Sequence, residues 1–144
     1  MKCFSLLGLM LIGMNFGIAG EKSENAAVRE TIQYYLDGFS QGDVTKLKQA
    51  FREDVVIKYL NPWNNGKYSE LTMPQLNEFM GNLPERWEVT STVDSVDVYG
   101  TVASAKLTVH IAGSVTWTDY LQLLKIDGKW WIMGKISHGE LATP

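Results

Sequence analysis

The sequence predicts an α+β domain in which three N-terminal helices pack on one face of a curved antiparallel sheet. Three observations carry that expectation. Apolar residues recur at helical spacing between Ala26 and Phe39, and everything after Pro84 alternates at strand spacing. Asp127-Gly128 sits between two runs rich in aromatic and β-branched residues, a strong signal for a two-residue hairpin. Helices grouped ahead of strands favour separate layers over an alternating βαβ arrangement.

The chain of 144 residues is long enough for one domain. Residues 1–19 read as a signal peptide: Lys2 supplies a positive start, Phe4 to Ile18 is apolar, and Gly17-Ile18-Ala19 offers the small residues a signal peptidase reads. The apolar run is shorter than the roughly 20 residues needed to cross a bilayer. Cleavage is expected after Ala19 or Gly20, giving a secreted or periplasmic protein with no membrane association once the leader is gone. Residues 20–25 read as a loose N-terminus and 26–144 as the single domain. Cys3, the one cysteine, leaves with the leader, so the mature domain has neither a disulfide nor a thiolate metal site. Lys2 leaves too, which moves the net charge from −3 to −4. No basic block stands out, so nucleic acid is not an expected partner. Two well-separated histidines argue against a zinc site, and no cofactor is expected.

The elements follow in order. Val28, Ile32, Tyr35, Leu36 and Phe39 form one face of a first helix that Gly42 ends. Asp43 can cap a second helix that buries Val44, Leu47 and Phe51. Val55 to Leu60 is a short β-rich run, broken by the turn cluster Asn61 to Gly66. Thr72 and Gln75 resemble a capping box, with Pro74 tolerated in the first turn of a third helix whose stripe is Leu76, Phe79, Met80 and Leu83.

Four long strands follow. Trp87, Val89, Ser91 and Val93 share a face, and the apolar phase then flips at Val96 and Val98, which predicts a bulge near Asp94-Ser95. With Tyr99-Gly100 as the next turn, Val96 is expected opposite Ala103. The loop Ala112-Gly113-Ser114 puts Val109 opposite Trp117 and Leu107 opposite Asp119. Around Asp127-Gly128 an unbroken register pairs Leu124 with Trp131, Leu121 with Gly134, Asp119 with Ile136 and Trp117 with His138. One hairpin face then carries Trp117, Asp119, Leu121, Leu123, Ile132, Ile136 and His138. The other carries Tyr120, Gln122, Leu124, Trp131, Met133 and Lys135. A curved sheet closed by helices makes a cone with a cavity.

The stretch VRETIQYYLDGFSQGDVTKLKQAF (Val28 to Phe51) resembles the opening of NTF2-like (cystatin-like) cone domains. The stretch TDYLQLLKIDGKW (Thr118 to Trp130), followed by Ile132 and Lys135, resembles their closing hairpin. The resemblance covers nearly all of the mature chain and is closest to the lumazine-binding branch, related to SnoaL-like domains. It implies a pocket on a scaffold shared by isomerases, dehydratases, cyclases, binders and association modules. A His-Pro-Asp that often follows the second helix in such domains is Arg52-Glu53-Asp54 here, so no role tied to that histidine carries over.

Three functions stay open on these residues. The first is a binder of a small, partly apolar molecule, with Tyr35, Tyr59, Trp63, Trp87, Trp117, Asp119 and His138 around the cavity. The second is an acid–base enzyme of the SnoaL/ketosteroid-isomerase type (isomerase, dehydratase or cyclase) with Asp119 and His138 as its candidate catalytic pair. The third is a non-catalytic association module whose cone is only core. The outer hairpin face, with Tyr120, Leu124, Trp131 and Met133, is too apolar for free solvent and predicts a homodimer. His110 falls among threonines on that outer face.

Overall fold

The structure, a computed structural model, describes the backbone of residues 17–143 and the side chains of residues 23–143. Most of the expected leader, residues 1–16, lies outside the described residues. The first helix, α1, runs Gly17–Gln41. It therefore includes residues 20–25, expected to be loose. Glu24 explains part of this: its carboxylate accepts from Lys125 Nζ at 2.5 Å and from Trp130 Nε1 at 2.7 Å, tying the helix to the hairpin around Asp127-Gly128.

The second helix, α2 (Val44–Ala50), starts where expected, with Asp43 accepting from the Lys46 backbone N–H at 3.2 Å. The third, α3 (Met73–Gly81), carries the full capping box between Thr72 and Gln75, with Pro74 in its first turn. The six strands are β1 (Val56–Asn61), β2 (Lys67–Thr72), β3 (Val89–Tyr99), β4 (Val102–Ile111), β5 (Val115–Ile126) and β6 (Lys129–Leu141). They form one mixed sheet in the order β2-β1-β6-β5-β4-β3.

The four long strands are antiparallel as expected, and β1 adds to them in parallel with β6. Strand β2 was not foreseen. It is an edge strand with only Leu71 as an inward apolar residue, too little to register as a period-two pattern. It returns from β1 through a 3₁₀ turn at Pro62–Asn64, where the Asn61 side chain accepts from the Trp63 N–H at 3.0 Å. Helix α1 lies across the sheet and against α2. Val28, Ile32, Leu47, Met80, Leu107, Leu121 and Ile132 are fully or almost fully buried in one core between the helices and the sheet.

Two bulges shape the sheet. One is at Asp94, as expected; Thr92 Oγ1 and Thr108 Oγ1 donate to its carboxylate at 2.9 and 2.8 Å and hold the kink. The turn between β3 and β4 falls at Gly100-Thr101, one residue later than expected, so Val96 faces Ala105 and Val98 faces Ala103. That slip moves partners by two positions and leaves every face unchanged.

The second bulge was not foreseen. From Ile126↔Lys129 to Leu123↔Ile132 the hairpin register is the expected one. Met133 then has no partner, and the ladder resumes at Gln122↔Gly134. Beyond it Leu121 faces Lys135, Asp119 faces Ser137 and Trp117 faces Gly139. A displacement of one residue exchanges the two faces of a strand. Lys135 and Ser137 therefore point into the cone, whereas Ile136 and His138 point out.

Candidate functional site

The cone is hollow. A cavity of about 700 Å³ lies between the sheet and the helices, inside the roughly 300–1,000 Å³ range of small-molecule sites. Its wall is mostly apolar. Tyr59, Trp63 and Trp117 form one aromatic group, with Trp117 edge-on to Tyr59 at 5.7 Å and to Trp63 at 5.8 Å between centroids. Phe39, Phe79 and Trp87 form another, with Trp87 within 5.6 and 5.7 Å of the two phenylalanines. Trp63 and Phe79 are both more than half exposed while lining the cavity, which places them at its mouth beside Arg86 and Glu88.

Local sequence explains two of these positions. Trp117 lies flat over Gly139, where a Cβ would come within 2.6 Å of the indole ring. Any other residue at Gly139 would displace the indole. Arg86 crosses above Gly42 to donate to the Met80 carbonyl at 3.3 Å. Gly42 has φ +61°, and a Cβ there would meet the guanidinium, so the α1–α2 turn and the placement of Arg86 require the same glycine.

The polar end of the cavity is a cluster of four side chains. Asp119 is fully buried and accepts at both oxygens, from Ser137 Oγ at 2.6 Å on Oδ1 and from Tyr35 Oη at 2.7 Å on Oδ2, and Lys135 Nζ forms an ion pair with Oδ2 at 2.9 Å. Lys135 also donates to Tyr35 Oη at 2.5 Å, and its Nζ stands 4.6 Å from the centre of the Tyr35 ring. Helix α1 supplies Tyr35, β5 supplies Asp119, and β6 supplies Lys135 and Ser137. Burial pushes the Tyr35 phenol well above its ordinary value of 10.0, and the negative charge of Asp119 and the hydrogen bond to it push the same way. Tyr35 is therefore a neutral phenol across the physiological range.

Tyr35, Lys135 and Ser137 reach the cavity wall, and Asp119 stands behind them. Their donors can be counted. The Tyr35 and Ser137 hydroxyl protons are committed to Asp119. Lys135 has three N–H donors and commits one as a hydrogen bond, to Tyr35, while its charge pairs with Asp119. The cavity floor thus offers at least one uncommitted ammonium N–H, flanked by oxygen lone pairs of Tyr35 and Ser137. A ligand oxygen such as a carbonyl fits that donor. The flanking oxygens can take a proton, and Tyr35 can pass its own to Asp119.

Of the residues expected around the cavity, Tyr35, Tyr59, Trp63, Trp87 and Trp117 all line it. Asp119 supports the floor without touching the cavity. His138 is not there. The bulge at Met133 turns it outward, its side chain is 70% exposed, and its nearest acidic group is Glu140 at 3.9 Å. The expected Asp119–His138 pair does not form. Lys135 was assigned away from the cavity by the same register and Ser137 was not singled out, and Gly134 beside the bulge was the one sequence signal that could have relocated them. His110 sits on the outer face as expected, 2.8 Å from Thr116 Oγ1. A second depression near Lys48, Arg52, Asn77 and Trp131 lies outside the cone and has a more polar lining.

Comparisons with known proteins agree with this architecture. The sequence pattern of the family described as "Putative lumazine-binding" matches residues 23–138. A protein of a Cladobotryum species named "Aldolase FrzH" is 30% identical over 117 residues, covering 81% of this chain and 91% of that protein. Among solved structures, an NTF2-like protein of Shewanella baltica OS155 superposes with a TM-score of 0.75 at 25% identity, over 84% of this chain and 97% of the other. An NTF2-like protein of Methylobacillus flagellatus KT gives 0.69 at 26% identity, over 84% and 94%.

Proposed function

Because the chain belongs to the lumazine-binding family of NTF2-like domains, whose shared scaffold leaves the chemistry to the cavity, we propose that it binds a small, partly apolar carbonyl compound and moves a proton next to that carbonyl, the first half of an aldol-type reaction. The observation that carries this reading is the buried Asp119–Lys135–Tyr35–Ser137 cluster at the end of an otherwise apolar cavity. An apolar pocket with a few convergent polar groups is the usual form of a site that orients one small molecule. The name of the Cladobotryum relative supports carbon–carbon chemistry over simple binding.

In this reading the free N–H of Lys135 donates to the substrate carbonyl oxygen and stabilises the enolate that forms. Tyr35 Oη takes the α-proton while its own proton passes to Asp119 along the hydrogen bond already present. The phenol is neutral before and after the transfer, as its raised pKa requires. Asp119 is a positioning residue and proton store; Lys135 and Tyr35 are the catalytic residues. Exchange of the α-protons of an aryl methyl ketone in D2O, followed by proton NMR, is the test. Wild-type protein is expected to accelerate the exchange, and Tyr35→Phe to abolish most of the acceleration. A ketone that binds without exchanging would reduce the protein to a binder.

Two proposals about its setting accompany this one. The domain acts outside the cytoplasm after losing residues 1–19, which N-terminal sequencing of exported protein would test. It also pairs with a second copy through the outer sheet face. Support for the pairing comes from Tyr120 and Ile136, more than half exposed, with Met133 exposed two residues along β6 from the half-buried Leu124–Trp131 pair. Sedimentation at micromolar concentration is expected to give twice the monomer mass, and a monomer would end the dimer proposal.

A further inference from the structure

We propose that Lys135 captures its substrate covalently, its amine condensing with a ketone or aldehyde in the cavity to form an iminium. This rests on the carbonyl reading above and adds the nature of the bond. The position favours it. Lys135 Nζ sits at the polar end of a largely apolar cavity, with the residue 9% exposed, so a carbonyl held by the aromatic walls can be delivered to it. A lysine is also the less usual choice for a purely structural pair with a buried carboxylate. Arginine, permanently charged and bidentate, suits that task better, whereas lysine can become a nucleophile. A buried ion pair is itself weak evidence of added stability, which leaves the pair in need of another reason.

The chemistry balances within the cluster. The ammonium gives one proton to Asp119, and the free amine attacks the carbonyl carbon to form a carbinolamine. The proton then returns to the carbinolamine oxygen, the C–O bond breaks and water leaves, and the nitrogen keeps the substrate carbon as a positively charged iminium. One cation and one carboxylate face each other before and after, starting from the 2.9 Å pair, and both are neutral in between, so no unpaired charge is left buried at any stage. Ser137 and Tyr35 hold the two carboxylate oxygens in place during the exchange. The iminium withdraws electrons from the α-carbon, and Tyr35 Oη stands beside it to take the α-proton. No redox step or further reactant is needed.

The probe is 2,4-pentanedione, a 1,3-diketone that loses one water on reaction with a lysine amine to give a conjugated enaminone with its own near-ultraviolet absorbance. Native protein is expected to gain one diketone-minus-water mass, mapping by peptide mass spectrometry to Lys135 in preference to exposed lysines such as Lys58 and Lys67. Lys135→Arg keeps the charge opposite Asp119 and is expected to fold, by circular dichroism, yet lose the adduct. Should Lys135→Arg fail to fold, mapping on the wild-type protein decides alone. Adducts confined to exposed lysines in native protein, with residue 135 unmodified, would overturn the proposal. If ketone α-exchange persists in that case, the carbonyl reading stands without covalency. If exchange is also absent, that reading falls as well.

Discussion

Asp119 has no solvent exposure, and a buried carboxylate is tolerated when its oxygens are partnered. Here two hydroxyl donors and one ammonium from two other elements converge on it, so one residue couples α1, β5 and β6. Removing one member of such a pair costs roughly 3–5 kcal/mol because the other is left buried and uncompensated. Asp119→Ala is therefore expected to lower unfolding stability by about that amount. The double substitution Asp119→Ala with Lys135→Met is expected to recover a large share of it in urea titrations. Equal losses in the single and double variants would show that the two charges are not coupled. Asp119 was legible in the sequence, because a lone carboxylate on an apolar hairpin face stands out. Lys135 was not, because its face depends on the parity of every residue between it and the turn.

At the scale of elements, the two bulges had opposite visibility. The bulge at Asp94 lies between two apolar runs of opposite phase, and the change of phase announces it. The bulge at Met133 lies between Ile132 and Gly134-Lys135-Ile136, where an unbroken alternation is just as readable and puts Ile136 inward. The sequence therefore favoured the wrong face for a physical reason: Lys135 is the polar residue that the core accepts, and Ile136 is the apolar one left outside at 61% exposure. The loose start expected for α1 failed on another interaction that is not local. Glu24 is clasped by Lys125 and Trp130, about a hundred residues away. Its carboxyl is held below the ordinary value of 4.5, first by the Lys125 hydrogen bond and then by Trp130. A carboxyl lowered on folding contributes stability that is present above its unfolded value and lost as pH falls through the folded one. The thermal midpoint is expected to drop on acidification below about pH 4.5. Glu24→Gln should shrink that drop, with Asp37 and Asp94, also lowered, retaining the remainder. A drop of unchanged size in Glu24→Gln would show that the clasp does not form in solution.

At the scale of the whole molecule, the layering was legible because all three helical patterns precede the four long strands. The parallel union of β1 with β6 and the edge strand β2 were not, since neither follows from a local pattern. The aromatic wall was legible as composition and became a site only when folding gathered Tyr59, Trp63 and Trp117 from three places in the chain. What the fold adds is the pairing of that wall with a floor that carries a buried ammonium with N–H to spare. The central claim is that this floor, and not the outward His138, does the chemistry. Exchange of ketone α-protons in D2O, measured by NMR for wild type, Tyr35→Phe, Lys135→Met and His138→Ala, tests it most directly. The account predicts exchange in wild type and His138→Ala and its loss in the other two. Exchange that survives Tyr35→Phe and Lys135→Met, or disappears with His138→Ala, would contradict it.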